Sequence, residues 1–165
     1  MVIKHLLFDW GDTLMRDFPI ARPMYTWEHV ELIEGVEKVL KKLLKKYILS
    51  VATNAGMSDE VAVRKAFKRV DIEKYFSHFF TSKELGFQKP DQRFFQAISN
   101  KLNTKPENCV MIGNSYEKDI IGAFQSGMKT IYFNEKKLAG TFEKANIVIS
   151  RFEEISEVIL NIHVI

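Results

Sequence analysis

Apolar residues along this chain fall into two alternating patterns, short continuous runs and longer segments in which they recur every third or fourth position. Val2 to Phe8 is a mainly apolar run that ends in Asp9, Gly11 and Asp12, the pattern of a buried strand entering a loop. Val36, Val39, Leu40, Leu43, Leu44 and Tyr47 then mark one face of an amphipathic helix, with Lys38, Lys41, Lys42, Lys45 and Lys46 on the other. Ile48 to Ala52 predicts a second strand, stopped by Thr53, Asn54 and Gly56. Ser58, followed by Asp59 and Glu60, reads as the N-cap of the next helix.

The alternation continues. His78 to Thr81 is a third apolar run, followed by GFQKPD and a helix with Phe94, Phe95, Ile98 and Leu102 on one face. Cys109 to Ile112 predicts a fourth strand with Asn114 to Asp119 as its loop, Ile120 to Ser126 a helix ended by Gly127, Lys129 to Phe133 a fifth strand and Asn146 to Ile149 a sixth. Strands alternating with helices predict a Rossmann-like, three-layer α/β domain around a mainly parallel sheet, with ligands at the carboxyl ends of the strands. Asp9, Thr53, Lys89 and Asn114 all fall at or just beyond such ends. The stretch from Met15 to His29 has no clear period and carries Pro19, Pro23, Tyr25 and Trp27. It reads as a surface loop, part of a short cap-like insert over about residues 15–33 and a candidate lid, in which packing is the first use of the two aromatics and substrate contact the second.

Length and composition narrow the picture. At 165 residues, with 46% hydrophobic and 27% charged residues, the chain suits one autonomous globular domain spanning residues 1–165. Its formal charge of +3 is too small for a dedicated nucleic-acid binder, and Lys38 to Lys46 reads as the wet face of a helix. The N-terminal apolar stretch is too short for a membrane span and ends at once in acids, which predicts a cytoplasmic protein without a membrane partner. Cys109, inside the run CVMIG, reads as a small buried hydrophobe, and His5, His29, His78 and His163 lack metal-ligand spacing. Oligomeric state is not encoded in any of these features.

Four separated segments, in order, carry a resemblance that covers most of the chain. LLFDWGDTL resembles an apolar strand followed by DxDxT, VATNAG a strand ending in Thr or Ser, ELGFQKPDQRFF a segment supplying a lysine, and VMIGNSYEKDIIGAFQSGM an acidic metal loop. Together they are similar to the haloacid dehalogenase superfamily of hydrolases, phosphatase type, with a minimal cap. Taken singly, each has a plainer reading as a turn or helix entry.

The residue types suit phosphoryl transfer on their own chemistry. A carboxylate can attack phosphorus and form an aspartyl-phosphate that water then cleaves, and Asp9 fits that role. A phosphate dianion repels such a nucleophile, so Lys89 and a bound Mg²⁺ would neutralise the site. Thr53, with Asn54 beside it, offers donors to the phosphoryl oxygens. The resemblance implies Asp9, the Gly11 carbonyl and Asp119 as metal positions, with Asn114 in the same loop. The expected reaction is Mg²⁺-dependent hydrolysis of a small phosphate monoester, and the short insert leaves the site open enough for a larger phosphorylated substrate.

Two positions depart from the family pattern. Gly11 stands where phosphatases of the family carry their acid/base Asp, and Asp12 follows it. General acid–base help is worth about 10² to 10⁴ in rate, so the outcome is a slow phosphatase, one restricted to good leaving groups, or one in which Asp12 takes over. Asn114 stands where an acid is usual, which predicts weaker Mg²⁺ affinity. A dehalogenase-type hydrolase, or a non-catalytic relative that binds a phosphorylated ligand or a protein, are the alternative readings.

Overall fold

Strand-forming runs and helices alternate through the computed structural model as the sequence pattern predicts, and the model describes residues 2–56 and 58–162. Strands β1 (His5–Phe8), β2 (Ile48–Thr53), β3 (His78–Thr81), β4 (Cys109–Gly113), β5 (Lys129–Phe133) and β6 (Ile147–Ile149) form one sheet in the order β3-β2-β1-β4-β5-β6. Every pairing is parallel. Helices α1 (Val36–Leu43), α2 (Glu60–Arg69), α3 (Ser82–Leu85), α4 (Gln92–Lys101), α5 (Gly122–Gln125) and α6 (Ile155–Val158) lie between and after them.

Both faces of the sheet are covered, which is why the strands read as continuous apolar runs. Leu6, Phe8, Leu49, Val51, Val110 and Ile112 share a core with α1, α2 and α6. Leu7, Ala52, Phe80 and Met111 pack with Phe94, Phe95 and Ile98 of α4 and Ala123 of α5. Phe67 of α2 meets Phe76 and Phe79 edge-on, each at 5.3 Å, and Trp10 at 6.1 Å. A buried aromatic of this kind contributes about 1.5–3 kcal/mol over leaving it exposed, so this cluster fixes α2 above the end of β1.

Several local expectations need correction. Helix α1 ends at Leu43 rather than running to Tyr47, because the chain must turn into β2; Leu44 is left 43% exposed. Asp59, not Ser58, caps α2: its carboxylate accepts from the Ala62 amide at 2.9 Å, and it adds a negative charge that suits a helix start better than a hydroxyl. Asn114 to Asp119 is not all loop, since a π-helical turn spans Tyr116–Ile121 and leads into α5. His163 lies outside the described residues. Cys109 is buried as expected, with its thiol pushed up to about 11 by burial.

The insert is not a loose surface loop. Met15 pairs with Leu32, the Arg16 amide donates to the Glu31 carbonyl at 2.9 Å, and the Ile33 amide to the Leu14 carbonyl at 3.0 Å, which closes its neck. Met15, Met24 and Trp27 are buried in the main core, and the Trp27 ring lies 5.9 Å from that of Phe18. Arg69 of α2 donates to the carbonyls of Tyr25, Trp27 and Glu28 and so ties the insert to the domain. Packing is therefore the use of both aromatics, although Trp27 also borders the cleft described next.

Candidate active site

The strand order reverses at β1, whose neighbours β2 and β4 come from opposite halves of the chain. A crevice opens beyond strand ends at such a point. The cleft here measures about 450 Å³, and Asp9, Gly11, Asp12, Thr53, Asn54, Lys89, Asn114 and Asp119 all line it. Residues up to 110 positions apart are brought together because their strands lie side by side in parallel. Phe8 is in register with Val51 of β2 and Ile112 of β4, and the Asp9 amide donates to the Ile112 carbonyl at 3.0 Å.

Lys89 is the centre of the arrangement. Its buried ammonium donates to Asp9 Oδ1 at 2.7 Å, to Asp119 Oδ1 at 2.6 Å and to the Ala52 carbonyl at 2.8 Å, so its three protons are all taken. Burial works against the charged form of Lys89, but the Asp119 and Asp9 carboxylates outweigh it and raise its pKa. Asp119 is pushed up to about 6 by burial and by the Asp9 charge, with Lys89 pulling in the other direction. Its second oxygen accepts from the Ser115 amide at 2.9 Å. Gly113 makes this possible, since a Cβ there would stand 2.2 Å from Asp119 Oδ2.

Asn54 holds the lysine in place. Its Oδ1 accepts from the Lys89 amide at 2.8 Å and its Nδ2 donates to the Lys89 carbonyl at 3.0 Å. The side chain expected to offer donors to a phosphoryl group is thus engaged by the Lys89 backbone. Thr53 accepts from the Ala55 amide at 3.2 Å, which leaves its hydroxyl proton free to donate.

On the other side of Asp9, the amide of Asn114 turns its nitrogen toward β1. In that orientation it donates to the Gly11 carbonyl at 3.2 Å, Asp9 Oδ2 at 3.3 Å and Thr13 Oγ1 at 3.1 Å. Two of the oxygens expected to hold Mg²⁺, Asp9 Oδ2 and the Gly11 carbonyl, are therefore gathered around one side chain, while Asp119 is joined to Asp9 through Lys89. Two carboxylates, a carbonyl and an amide that can turn its oxygen inward are the hard donors this ion takes, so the residues fit it. Among the described residues, no group of three or more His, Cys, Asp and Glu side chains is placed to hold a metal ion.

Asp12 has a left-handed backbone with φ of 54°, and its Oδ1 accepts from the Asp17 amide at 3.1 Å. One of its oxygens thus braces the start of the insert. Sequence reasoning missed Asp17, Arg22 and Lys118, which also line the cleft. Asp17 carries the clearest consequence: its carboxyl loses part of its hydration there, and with Asp12 and Asp9 adding repulsion its pKa is raised. No motif spacing could have revealed it, because the fold of the insert brings it back against Gly11.

A family model described as haloacid dehalogenase-like hydrolase matches residues 13–133. A glyceraldehyde 3-phosphate phosphatase from Methanothermobacter thermautotrophicus is 33% identical over 71% of this chain and 53% of its own. The N-acylneuraminate-9-phosphatase of Homo sapiens is 30% identical over 66% of this chain and 43% of its own. The chain thus spans about half the length, or less, of these curated relatives. An uncharacterized protein from Listeria monocytogenes serotype 4b superposes with a TM-score of 0.88 at 24% identity, covering 99% of this chain and 100% of that one. A Bacillus subtilis HAD-hydrolase-like protein solved bound to magnesium superposes at 0.79 and 17% identity, covering 96% of this chain and 99% of that one.

Proposed function

Because the chain belongs to the haloacid dehalogenase-like hydrolase family, we propose that it is a Mg²⁺-dependent phosphatase in which Asp9 is the nucleophile toward a phosphate monoester. The observation that carries this reading is the buried Lys89 ammonium, held between Asp9 at 2.7 Å and Asp119 at 2.6 Å at the floor of an open cleft. Names of relatives that are phosphatases of phosphorylated sugars support the same substrate class.

In the first step an Asp9 carboxylate oxygen bonds to phosphorus as the bond from phosphorus to the ester oxygen breaks, and the departing oxygen takes a proton. In the second, water attacks phosphorus, the Asp9 carboxylate leaves, a base takes the water's proton and inorganic phosphate is released. Lys89 holds Asp9 in position and offsets its charge, while Thr53 offers a hydroxyl to the phosphoryl oxygens. With Gly11 unable to carry a proton, Asp12 and Asp17 are the carboxyl groups beside it in the cleft. Asp17, whose pKa is raised by partial burial and by the Asp12 and Asp9 charges, is the candidate proton donor, and Asp12 holds its backbone.

Four carboxylates, Asp9, Asp12, Asp17 and Asp119, line the cleft against the cations Arg22, Lys89 and Lys118. Those three cations leave no surplus of positive charge for an entering phosphate dianion even with Asp17 protonated, so a further cation is required. Mg²⁺ held by Asp9, the Gly11 carbonyl, Asn114 and Asp119 would supply the charge neutralisation that lets phosphate approach the nucleophile.

The test is hydrolysis of p-nitrophenyl phosphate with Mg²⁺ by the wild type and Asp9→Asn, followed by intact-mass analysis with beryllofluoride. The expected result is Mg²⁺-dependent turnover that falls at least about 10³-fold in the variant, and an adduct on the wild type only. Equal rates in the two proteins overturn the reading. EDTA-resistant halide release from a 2-haloacid, in place of phosphate release, assigns the dehalogenase chemistry instead.

A further inference from the structure

Arg22 differs from every other arginine among the described residues. Arg16 is bidentate on Glu135, Arg64 binds Glu60 and Glu73, Arg69 the carbonyls of the insert, Arg93 Asp91 and Arg151 Glu154. The Arg22 guanidinium has no hydrogen-bond or ion-pair partner among the described residues, although it borders a cleft that contains four carboxylates.

Its backbone is nonetheless fixed. The Arg22 amide donates to the Ile20 carbonyl at 2.8 Å, and the Arg22 carbonyl accepts from the buried Trp27 indole at 2.8 Å. The exposed Arg22 side chain is thus carried by an anchored backbone on the insert, and the apolar Ile20, Pro23 and Met24 line the same cleft. Lys118, whose ammonium is likewise without a partner among the described residues, borders the same cleft from the turn that follows β4. That turn also carries Asp119, and the Lys118 amide is capped by Ser115 Oγ at 3.3 Å.

A guanidinium is a planar fork of donors that matches a carboxylate or phosphate bidentately, and it gains most where apolar neighbours reduce competition from water. The cleft, at about 450 Å³, is also of the size that holds a whole small metabolite rather than a phosphoryl group alone. We propose that Arg22, assisted by Lys118, receives a second anionic group on the substrate, so that the cleft selects phosphomonoesters that carry a carboxylate or a second phosphate away from the scissile bond. This rests on the phosphatase reading above and adds the substrate class to it.

Matched pairs test it: 3-phosphoglycerate against glycerol 3-phosphate, and fructose 1,6-bisphosphate against fructose 6-phosphate, with wild type, Arg22→Ala, Arg22→Lys and Lys118→Ala. The wild type is expected to favour the doubly anionic member of at least one pair by about tenfold in kcat/KM, the size of a charge-assisted hydrogen-bonded contact. Preference in the first pair alone identifies a carboxylate as the partner, in the second alone a phosphate, and either supports the proposal. Arg22→Ala is expected to reduce that ratio to within about twofold of unity, with Arg22→Lys and Lys118→Ala in between. A wild type that discriminates in neither pair, or a ratio that survives Arg22→Ala, overturns it.

Absence of Asp9-dependent turnover of p-nitrophenyl phosphate sinks the phosphatase reading separately. The Arg22 proposal is then read by calorimetric binding of the same pairs. Tighter binding of a doubly anionic member, lost in Arg22→Ala, supports the anion site, and equal affinity within both pairs overturns it.

Discussion

The carboxylate of Asp17 occupies the space beside Gly11 that a side chain there would need: a Cβ on residue 11 would lie 3.0 Å from Asp17 Oδ2 and 3.1 Å from Asp17 Cβ. The two positions are therefore coupled. The insert folds so that an acid, Asp17, stands next to a position that has no side chain of its own.

Restoring an aspartate at residue 11 should consequently not act alone. Gly11→Asp is expected to lower stability by about 0.5–1 kcal/mol, since the exposed Asp17 side chain must give way, and to improve turnover of an alkyl phosphate little. Gly11→Asp combined with Asp17→Ala is expected to recover the stability and raise alkyl-phosphate turnover at least about tenfold over Asp17→Ala alone. Urea denaturation and steady-state kinetics on the single and double variants check both parts. A fully active, stable Gly11→Asp variant would show that the insert yields freely at this point.

Asn114 offers a test of the metal site. Its amide donates to Asp9 Oδ2 and the Gly11 carbonyl, so Asn114→Asp replaces a donor with a second negative charge facing two acceptors. Without metal this variant is expected to be less stable than the wild type by about 1 kcal/mol, the cost of setting a charge against half-buried acceptors that lose their donor. Saturating Mg²⁺ should reverse the order, because ligand binding to the folded state stabilises it in proportion to affinity and a further carboxylate strengthens the site. Melting temperatures with Mg²⁺ and with EDTA decide the matter. A Mg²⁺-induced shift no larger in the variant than in the wild type would contradict it.

The Arg16–Glu135 pair, bidentate at 2.6 Å for each bond, ties the start of the insert to the chain just after β5. The hydrogen bond from Arg16 holds Glu135 below its ordinary 4.5, against a smaller opposing effect of burial. An acid whose pKa is lower in the folded state contributes stability that is present above the unfolded value and is lost as pH falls through the folded one. Glu135→Gln is therefore expected to cost about 1 kcal/mol at pH 7, or roughly 2–4 °C in Tm for a domain of this size, and close to nothing at pH 3. Melting curves across that range test the sign. A deficit that persists at pH 3 would show that packing rather than charge holds the pair.

Much of this molecule is legible in one dimension. The apolar runs that became β1 to β5 needed only local periodicity to be recognised, because strands buried on both faces are mostly apolar, with only scattered polar positions such as His5, Ser50 and Thr130 among them. Asp9, Thr53 and Asn114 stand out for a related reason, since the end of a buried run is where a parallel sheet exposes its chemistry. Motif order then sufficed for Lys89 and Asp119.

What the sequence left undetermined depends on side chains meeting across long separations. That Asn54 grips the Lys89 backbone, that Asn114 reaches both Asp9 and the Gly11 carbonyl, and that Asp17 stands against Gly11 all follow from the parallel register and from the packing of the insert onto α2. Arg22 looks like any surface arginine in the sequence, and only the folded insert shows it at the cleft without a partner. Local periodicity is set by the backbone within a few residues, whereas the pairing of charges is set by how the layers close. The first was therefore written in the order of the residues, and the second was decided by tertiary structure alone.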